Sequence, residues 1–290
     1  MDKQVSIVIP VYQRQDSGEA AVDSALAQSG VSFEIIIVDD GSPDPFVLPL
    51  RMAGDERIRL IRQEPNAGAA AARNRGVRAA TAPWIALLDS DDLWLPGKLA
   101  AQLTLAEREA TRNPLTCVMT GFMQVEMATG ASRERVPIES EDLADFASAC
   151  WFGPGSTALI PRIAFERVGF FYETLERLEY LDWFLRLARA GGCVRVLPLS
   201  GARVQVGGRP SPERLDRTIT RLEAKWLAPE ARERLEPQLR RNLAAYLSVE
   251  RASTRYFSGR YAGFALALAK SFLLKPRLGL HLRDWWRKPN

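Results

Sequence analysis

Two apolar runs, FEIIIV (33–38) and PWIALL (83–88), each end abruptly on aspartates: Asp39-Asp40-Gly41-Ser42 after the first, Asp89-Ser90-Asp91-Asp92 after the second. Runs this short and this apolar, bounded by turn formers, read as strands buried on both faces. Free carboxylates cannot continue into the same apolar layer, so the chain must leave it at each cluster.

The segments around these runs set the topology. Residues 4–11 (QVSIVIPV) read as a buried strand, and 57–62 (RIRLIR) alternate like a third. Helical spacing falls at 16–29, with Asp16 or Ser17 as N-cap, and at 67–80, an alanine-rich stretch preceded by Asn66 as a cap. Pro96 opens another helix near 97–110. Strands alternating with helices give a parallel sheet with crossover helices. Both acidic clusters then lie at carboxyl ends of strands, the edge where open α/β sheets bind ligands. One such cluster alone reads equally as a capping turn or a site; two in equivalent positions point to a site.

Further on, strands are expected at 116–125, 156–160, 193–199 and 202–206, with a helix at about 177–190. After Pro210 the pattern is helical and charged to about 247, then breaks into shorter amphipathic segments over 248–286. The apolar stretch Tyr261 to Leu274 is interrupted by Lys270 and falls short of the roughly 20 residues a membrane span needs.

Composition removes several chemistries. His281 is the single histidine, so a Ser-His-Asp mechanism would rest on it alone and a multi-histidine metal site is impossible. Cys117, Cys150 and Cys193 are widely spaced, an odd count that argues against a disulfide framework or a zinc knuckle. Free thiols and the lack of a cleavable leader in VSIVIPVY imply a cytoplasmic setting. The net charge of +4 suits phosphate-bearing ligands or an anionic membrane, or is a solvated surface. The arginines are dispersed and no nucleic-acid recognition motif appears. Chemistry must rest on carboxylates, arginines, hydroxyls and a metal held by oxygen.

Four stretches in order, VSIVIPVYQR (5–14), IIIVDDGSPD (35–44), NAGAAAARNRGV (66–77) and WIALLDSDDLW (84–94), resemble the family 2 glycosyltransferases, inverting enzymes of the GT-A fold. A looser match, LEYLDWFLRLARAG (178–191), extends the resemblance to the acceptor half. It implies a Rossmann-like α/β fold with a mostly parallel central sheet flanked by helices, plus a helical C-terminal region. A GT-A domain over 1–210 is expected, its nucleotide-sugar half at 1–112 and its acceptor half at 113–210, followed by a helical extension over 211–290.

The resemblance also implies roles. Pro10, Val11 and Tyr12 line the base pocket, Tyr12 by stacking, with Arg14 beside them. Asp40, more than Asp39, accepts from the base imide. The small residues around Gly68 let the nucleotide approach the backbone, and Arg73 meets the base or the diphosphate. Asp89-Ser90-Asp91 matches an Asp-x-Asp motif: Asp91 would bind Mg²⁺ or Mn²⁺ directly, with Asp89 facing ribose or ordered water. Asp92 reads as a helix cap before Pro96. The base that deprotonates the acceptor hydroxyl is Glu179 or Asp182, three apart on one helix face, with Glu179 preferred; Asp182 also has an ion-pair partner in Arg186.

The sequence departs from the family pattern at two points. Tyr180 occupies the usual base position, and Gly207 and Gly208 stand where many members carry a histidine, with Arg209 nearby as a source of charge. These departures keep a non-catalytic sugar-nucleotide-binding or scaffold protein as an alternative. Sugar nucleotidyltransferases are set aside, since Pro10-Val11-Tyr12-Gln13-Arg14 replaces their glycine-rich loop; no GxGxxG follows the first strand either. The expected partners are a nucleotide-sugar donor, UDP- or dTDP-linked, and a glycan or lipid-linked acceptor in cell-surface polysaccharide synthesis. Trp285 and Trp286 among Arg283, Arg287 and Lys288 make an end that either lies on the inner membrane surface or packs on the catalytic domain. Oligomeric state is not encoded in any motif.

Overall fold

Every residue of strand β1 (Val5–Val11) and strand β2 (Phe33–Asp39) is buried, so both need cover on two faces. A computed structural model describes residues 2–150, 155–207, 211–231 and 233–276. Helix α1 (Gln15–Leu26) carries the chain from β1 to β2, and helix α2 (Ala69–Ala79) from β3 (Ile58–Arg62) to β4 (Trp84–Leu87). Strands β3, β2, β1 and β4 are parallel neighbours in that order. β3 is the edge, blunted by the exposed Arg59 and Arg62.

After β4 come β5 (Leu93–Trp94), α3 (Lys98–Ala110), β6 (Thr116–Glu126), β7 (Ser132–Arg135) and the short α4 (Leu143–Phe146). Next are β8 (Ala158–Pro161), α5 (Arg162–Val168), α6 (Glu179–Arg189) and β9 (Cys193–Val206). The sheet runs β3-β2-β1-β4-β8-β6-β9-β5, with β7 on β6. β6 and β9 are parallel, whereas β8, β7 and β5 pair antiparallel. The parallel order read from the sequence therefore holds through the first four strands, and the sheet is mixed beyond them. The separate strands expected at 193–199 and 202–206 are one strand, whose register against β6 shifts around Thr120–Phe122.

Alternation along the strands feeds two apolar layers. Ile7, Ile9, Ile35 and Ile37 face α1 and α3; Val8, Ile36, Val38 and Leu87 face α2 and the helices that follow. α7 (Pro212–Trp226) and α8 (Pro237–Phe257) bury Ile219, Leu222, Trp226, Leu243 and Leu247 in the same cluster as Trp183 and Phe184 of α6; α9 (Tyr261–Leu274) follows α8. No helix among the described residues is long and apolar enough to cross a membrane.

Contact between α2 and β1 is close. A Cβ on Gly76 would lie 2.3 Å from Val8 Cγ1, so only glycine lets the helix rest on the strand there. The helix starts on Gly68, at φ 92°, with no side-chain cap. Asn66, expected as that cap, instead turns its amide to Asp40. α1 likewise begins without the expected cap from Asp16 or Ser17.

At the amino end of the sheet, away from both aspartate clusters, Glu34 is wholly buried. Its carboxylate accepts from Ser6 Oγ at 2.6 Å, Thr81 N at 2.8 Å, Thr81 Oγ1 at 2.7 Å and Lys3 Nζ at 3.0 Å. Burial alone would raise its pKa, but these donors bring it down to about 2. A carboxylate depressed from 4.5 contributes stability that is complete above pH 4.5 and is lost as pH falls through 2. Glu34→Gln should therefore cost on the order of 3 kcal/mol near neutrality. In urea titrations at pH 7 and pH 3, the gap between wild type and variant should narrow at the lower pH.

Candidate functional site

The two acidic clusters come together at the carboxyl edge of β1, β2 and β4. Pro10 and Val11 are buried at the end of β1, and Tyr12 follows them, 43% exposed. Gln13 has φ 51°, a left-handed conformation uncommon for its type, pinned by its N–H on Ser42 Oγ at 2.9 Å. This turn sends Arg14 across to Asp91, Nη1 to Oδ2 at 2.6 Å.

Asp39 and Asp40 are both buried and hold the loops around them. Asp39 accepts from the N–H groups of Ser42 at 3.0 Å and Phe46 at 3.1 Å and from Arg62 at 2.7 Å. Burial works to raise Asp39, but the Ser42 and Phe46 donors and the Arg62 charge bring it below the usual carboxylate range. Asp40 accepts from Gln63 Nε2 at 2.5 Å, Asn66 Nδ2 at 3.0 Å, and the N–H groups of Ala67 at 2.9 Å and Gly68 at 2.8 Å. A carboxylate has about four acceptor sites, and these four donors fill them. In this arrangement Asp40 fixes the 63–68 loop and offers no lone pair to a base imide, contrary to the sequence expectation. Gly68, expected at the nucleotide, lies on that loop.

Arg73 lies one turn into α2 and is 6% exposed at its side chain. Its Nη2 is 2.6 Å from Asp89 Oδ1, its Nη1 is 3.0 Å from Glu179 Oε1, and its guanidinium lies 5.0 Å from the centre of the Tyr180 ring. Burial disfavours the cation, but Asp89, Tyr180 and Glu179 outweigh that and raise its pKa. One planar fork thus spans the Asp-x-Asp loop and the first turn of α6. Leu178, just before Glu179, is at φ 58°, so strained backbone flanks the site on this side too. Asn74, next to Arg73, donates to Phe171 O at 2.9 Å and Glu173 Oε1 at 2.8 Å and accepts from Phe171 N at 2.9 Å. That fastens α2 to the segment leading into α6.

The 89–92 loop is anchored from behind. Asp89 N donates to Ser156 Oγ at 3.0 Å, the Ser156 hydroxyl donates to Asp92, and Gln205 N donates to Asp92 at 2.9 Å. Asp92 is therefore the fixed end of the loop, not the expected helix cap before Pro96. Burial and the neighbouring Asp89 push its carboxyl up to about 8, against the Ser156 and Gln205 hydrogen bonds, with Asp91 adding to the rise. Ser90 is buried, while the side chains of Asp89 and Asp91 are 26% and 29% exposed. Among the described residues no three His, Cys, Asp or Glu side chains converge into a metal cage. The donor set still fits a hard cation, since one or two carboxylates plus substrate phosphates suffice for Mg²⁺ or Mn²⁺.

The two base candidates differ sharply. Glu179 opens α6 with its side chain 14% exposed beside Arg73. Asp182 is fully buried, held by Arg186 at 3.0 Å, Lys225 at 2.7 Å and the Trp226 indole at 2.9 Å. The expected pairing with Arg186 is present. The role of Asp182 as a base is corrected: its carboxylate is enclosed by α6 and α7 and reaches no acceptor. Tyr180 is half-buried, its hydroxyl enclosed and unpartnered among the described residues, against Gly155, where a Cβ would fall 1.9 Å from that oxygen. Gly208, Arg209, His281, Arg283, Trp285, Trp286, Arg287 and Lys288 lie outside the described residues. The cysteines are free, Cys117 and Cys193 buried.

Sequence reasoning missed Asn74, Ser156 and Gln205. Asn74 left one signal, a polar residue inside the alanine-rich face of α2; Ser156 and Gln205 left none, because their work depends on strands far apart in the chain. Replacing Asp182 with Asn should leave Arg186 and Lys225 facing a neutral amide. A loss of about 3 kcal/mol is expected, seen as a melting point several degrees lower with nucleotide binding retained in the cold. An unchanged melting point with lost turnover would return Asp182 to the reacting groups.

Comparison with known proteins places the chain in a family. The family model described as glycosyl transferase family 2 matches residues 6–169. The succinoglycan biosynthesis protein ExoO of Rhizobium meliloti (strain 1021) is 41% identical over 136 residues, 46% of this chain and 39% of that protein. The UDP-Glc:alpha-D-GlcNAc-diphosphoundecaprenol beta-1,3-glucosyltransferase WfgD of Escherichia coli is 36% identical over 104 residues, 36% of this chain and 41% of its own. This chain thus spans about two fifths of the length of each. The crystal structure of S. aureus TarS, residues 1–349 with UDP-GlcNAc, superposes with a TM-score of 0.61 at 16% identity, covering 95% of this chain and 82% of that one. At that identity the likeness is one of fold.

Proposed function

Since the chain belongs to glycosyl transferase family 2 and has the GT-A fold, we propose that it is an inverting transferase. Its donor is a nucleotide sugar, with UDP or dTDP favoured, and its acceptor a glycan or lipid-linked saccharide of cell-surface polysaccharide synthesis. The observation that carries the reading is the Arg73 bridge, which brings Asp89 of the Asp-x-Asp loop and Glu179 of α6 to opposite ends of one guanidinium. Donor-side and acceptor-side carboxylates are then one side chain apart, as direct displacement requires. Names of relatives support the substrate classes: WfgD acts from UDP-Glc on a diphosphoundecaprenol-linked sugar, and the TarS structure holds UDP-GlcNAc.

In this reading residues 1–112 bind the donor and 113–210 the acceptor, with 211–290 as a helical extension. Tyr12 stacks on the base beside Pro10 and Val11. Arg14 and Arg73 turn toward the diphosphate when it arrives, leaving Asp91 and Asp89 to the cation. Asp91, with Asp89, would hold the Mg²⁺ or Mn²⁺ that this family generally uses, and the cation would offset charge on the leaving diphosphate. Glu179 takes the proton of the acceptor hydroxyl as its oxygen bonds to the anomeric carbon, and the bond from that carbon to the diphosphate breaks on the opposite face. Tyr180, whose enclosed hydroxyl burial keeps protonated, its pKa well above the ordinary phenol value, is a wall of the site and not its base.

The test separates binding from transfer. Wild type should melt several degrees higher with saturating UDP or dTDP and Mn²⁺ than without nucleotide, and less so in EDTA; Asp91→Ala should show the EDTA behaviour in Mn²⁺. Glu179→Gln should keep the nucleotide shift while transfer to a saccharide acceptor falls about 10²- to 10⁴-fold. A Glu179→Gln enzyme as fast as wild type would remove Glu179 as the base. Nucleotide binding by wild type without turnover on any acceptor would favour the non-catalytic alternative.

A further inference from the structure

The positive charge of the chain is concentrated at one end. Residues 258–290 hold seven Lys or Arg and one Asp, a net of +6, so with +4 for the whole chain the first 257 residues are net −2. α9 lies in this stretch, and Lys270 is its one charged residue. The helix rests on α8 through the buried Ala267 and Ser271, flanked by the half-buried Phe264 and Leu268. Its other face is apolar and open: Tyr261, Leu266, Phe272 and Leu273 are 64%, 74%, 43% and 82% exposed. Tyr256 and Phe257 at the end of α8 extend the same surface.

A helix facing water ordinarily turns charged residues outward, and an open apolar surface of this kind marks a contact. Charge selects the occupant. A second copy on this face would set Lys270 beside its like, whereas an anionic bilayer accepts the apolar face and that cation together. We propose that α9 is a docking helix that lies in the interface of an anionic phospholipid bilayer, with Leu266, Phe272 and Leu273 in the acyl boundary and Lys270 at the phosphates. Lys275 follows the helix and donates to Ser148 Oγ at 3.2 Å. Ser148 belongs to the segment just after α4, whose Phe146 stacks on Phe184 of α6, the helix that Glu179 opens. The docked face is thus joined to the acceptor side of the site, not to the nucleotide strands. The inference stands on the surface itself and holds whichever sugar or acceptor is used.

The experiment is flotation of the full chain with vesicles of phosphatidylcholine alone or mixed equally with phosphatidylglycerol, comparing wild type with Leu266→Gln/Leu273→Gln. Both leucines are exposed, so the variant should keep its melting point. Wild type should float with the anionic vesicles, much less with neutral ones, and less as salt rises. The variant should bind on the order of tenfold more weakly. Three results would overturn the proposal: no binding of wild type to anionic vesicles, equal binding by the variant, or light scattering that shows a wild-type dimer which the variant dissolves, since a second copy would then be the occupant.

Discussion

A buried arginine between two carboxylates organises the site. Stripping water from a guanidinium is costly, and the cost is met only while both ends of the fork keep their anions. Arg73 therefore needs Asp89 on one side and Glu179 on the other, and neither arrives by local folding: one ends β4, the other starts α6. Much of the remaining polar interior serves to deliver those two partners. Ser156 and Gln205 fix Asp92 and with it the 89–92 loop; Asn74 ties the arginine's own helix to the segment that leads into α6.

The same logic divides acidic residues that look alike in sequence. Asp39, Asp40, Asp92 and Asp182 are buried and surrounded by donors, so their oxygens are used up in holding backbone and helices. Asp89, Asp91 and Glu179 keep some exposure and face arginines whose other obligations are few. In the proposed function an incoming diphosphate would take the place of one of those anions on its arginine; the backbone N–H groups of Ala67 and Gly68 stay on Asp40.

The strands and helices of the N-terminal half were legible because local pattern decides them: apolar runs of strand length, an alanine-rich helix, and turn chemistry at each boundary. The acidic loops and Arg73 were legible as members of a site for the same reason. Asp40 and Asp182 were misjudged because a residue's type does not disclose how many donors the fold will aim at it. The order of strands beyond β4 was illegible on similar grounds, since β8 enters between β4 and β6 from far along the chain.

The contact between Gly76 and Val8 bears on how such a chain can diverge. Arg73 is one turn before Gly76 on a helix with no clearance above β1. A Cβ at 76 would meet Val8 at 2.3 Å, so helix or strand has to give, and Arg73 rides on that same helix. The gap between Asp89 and Glu179 is therefore gauged by the missing methyl group of one glycine. Changes confined to the loops at the carboxyl edge leave this contact as it is, and the α2–β1 face is the ruler against which they are laid.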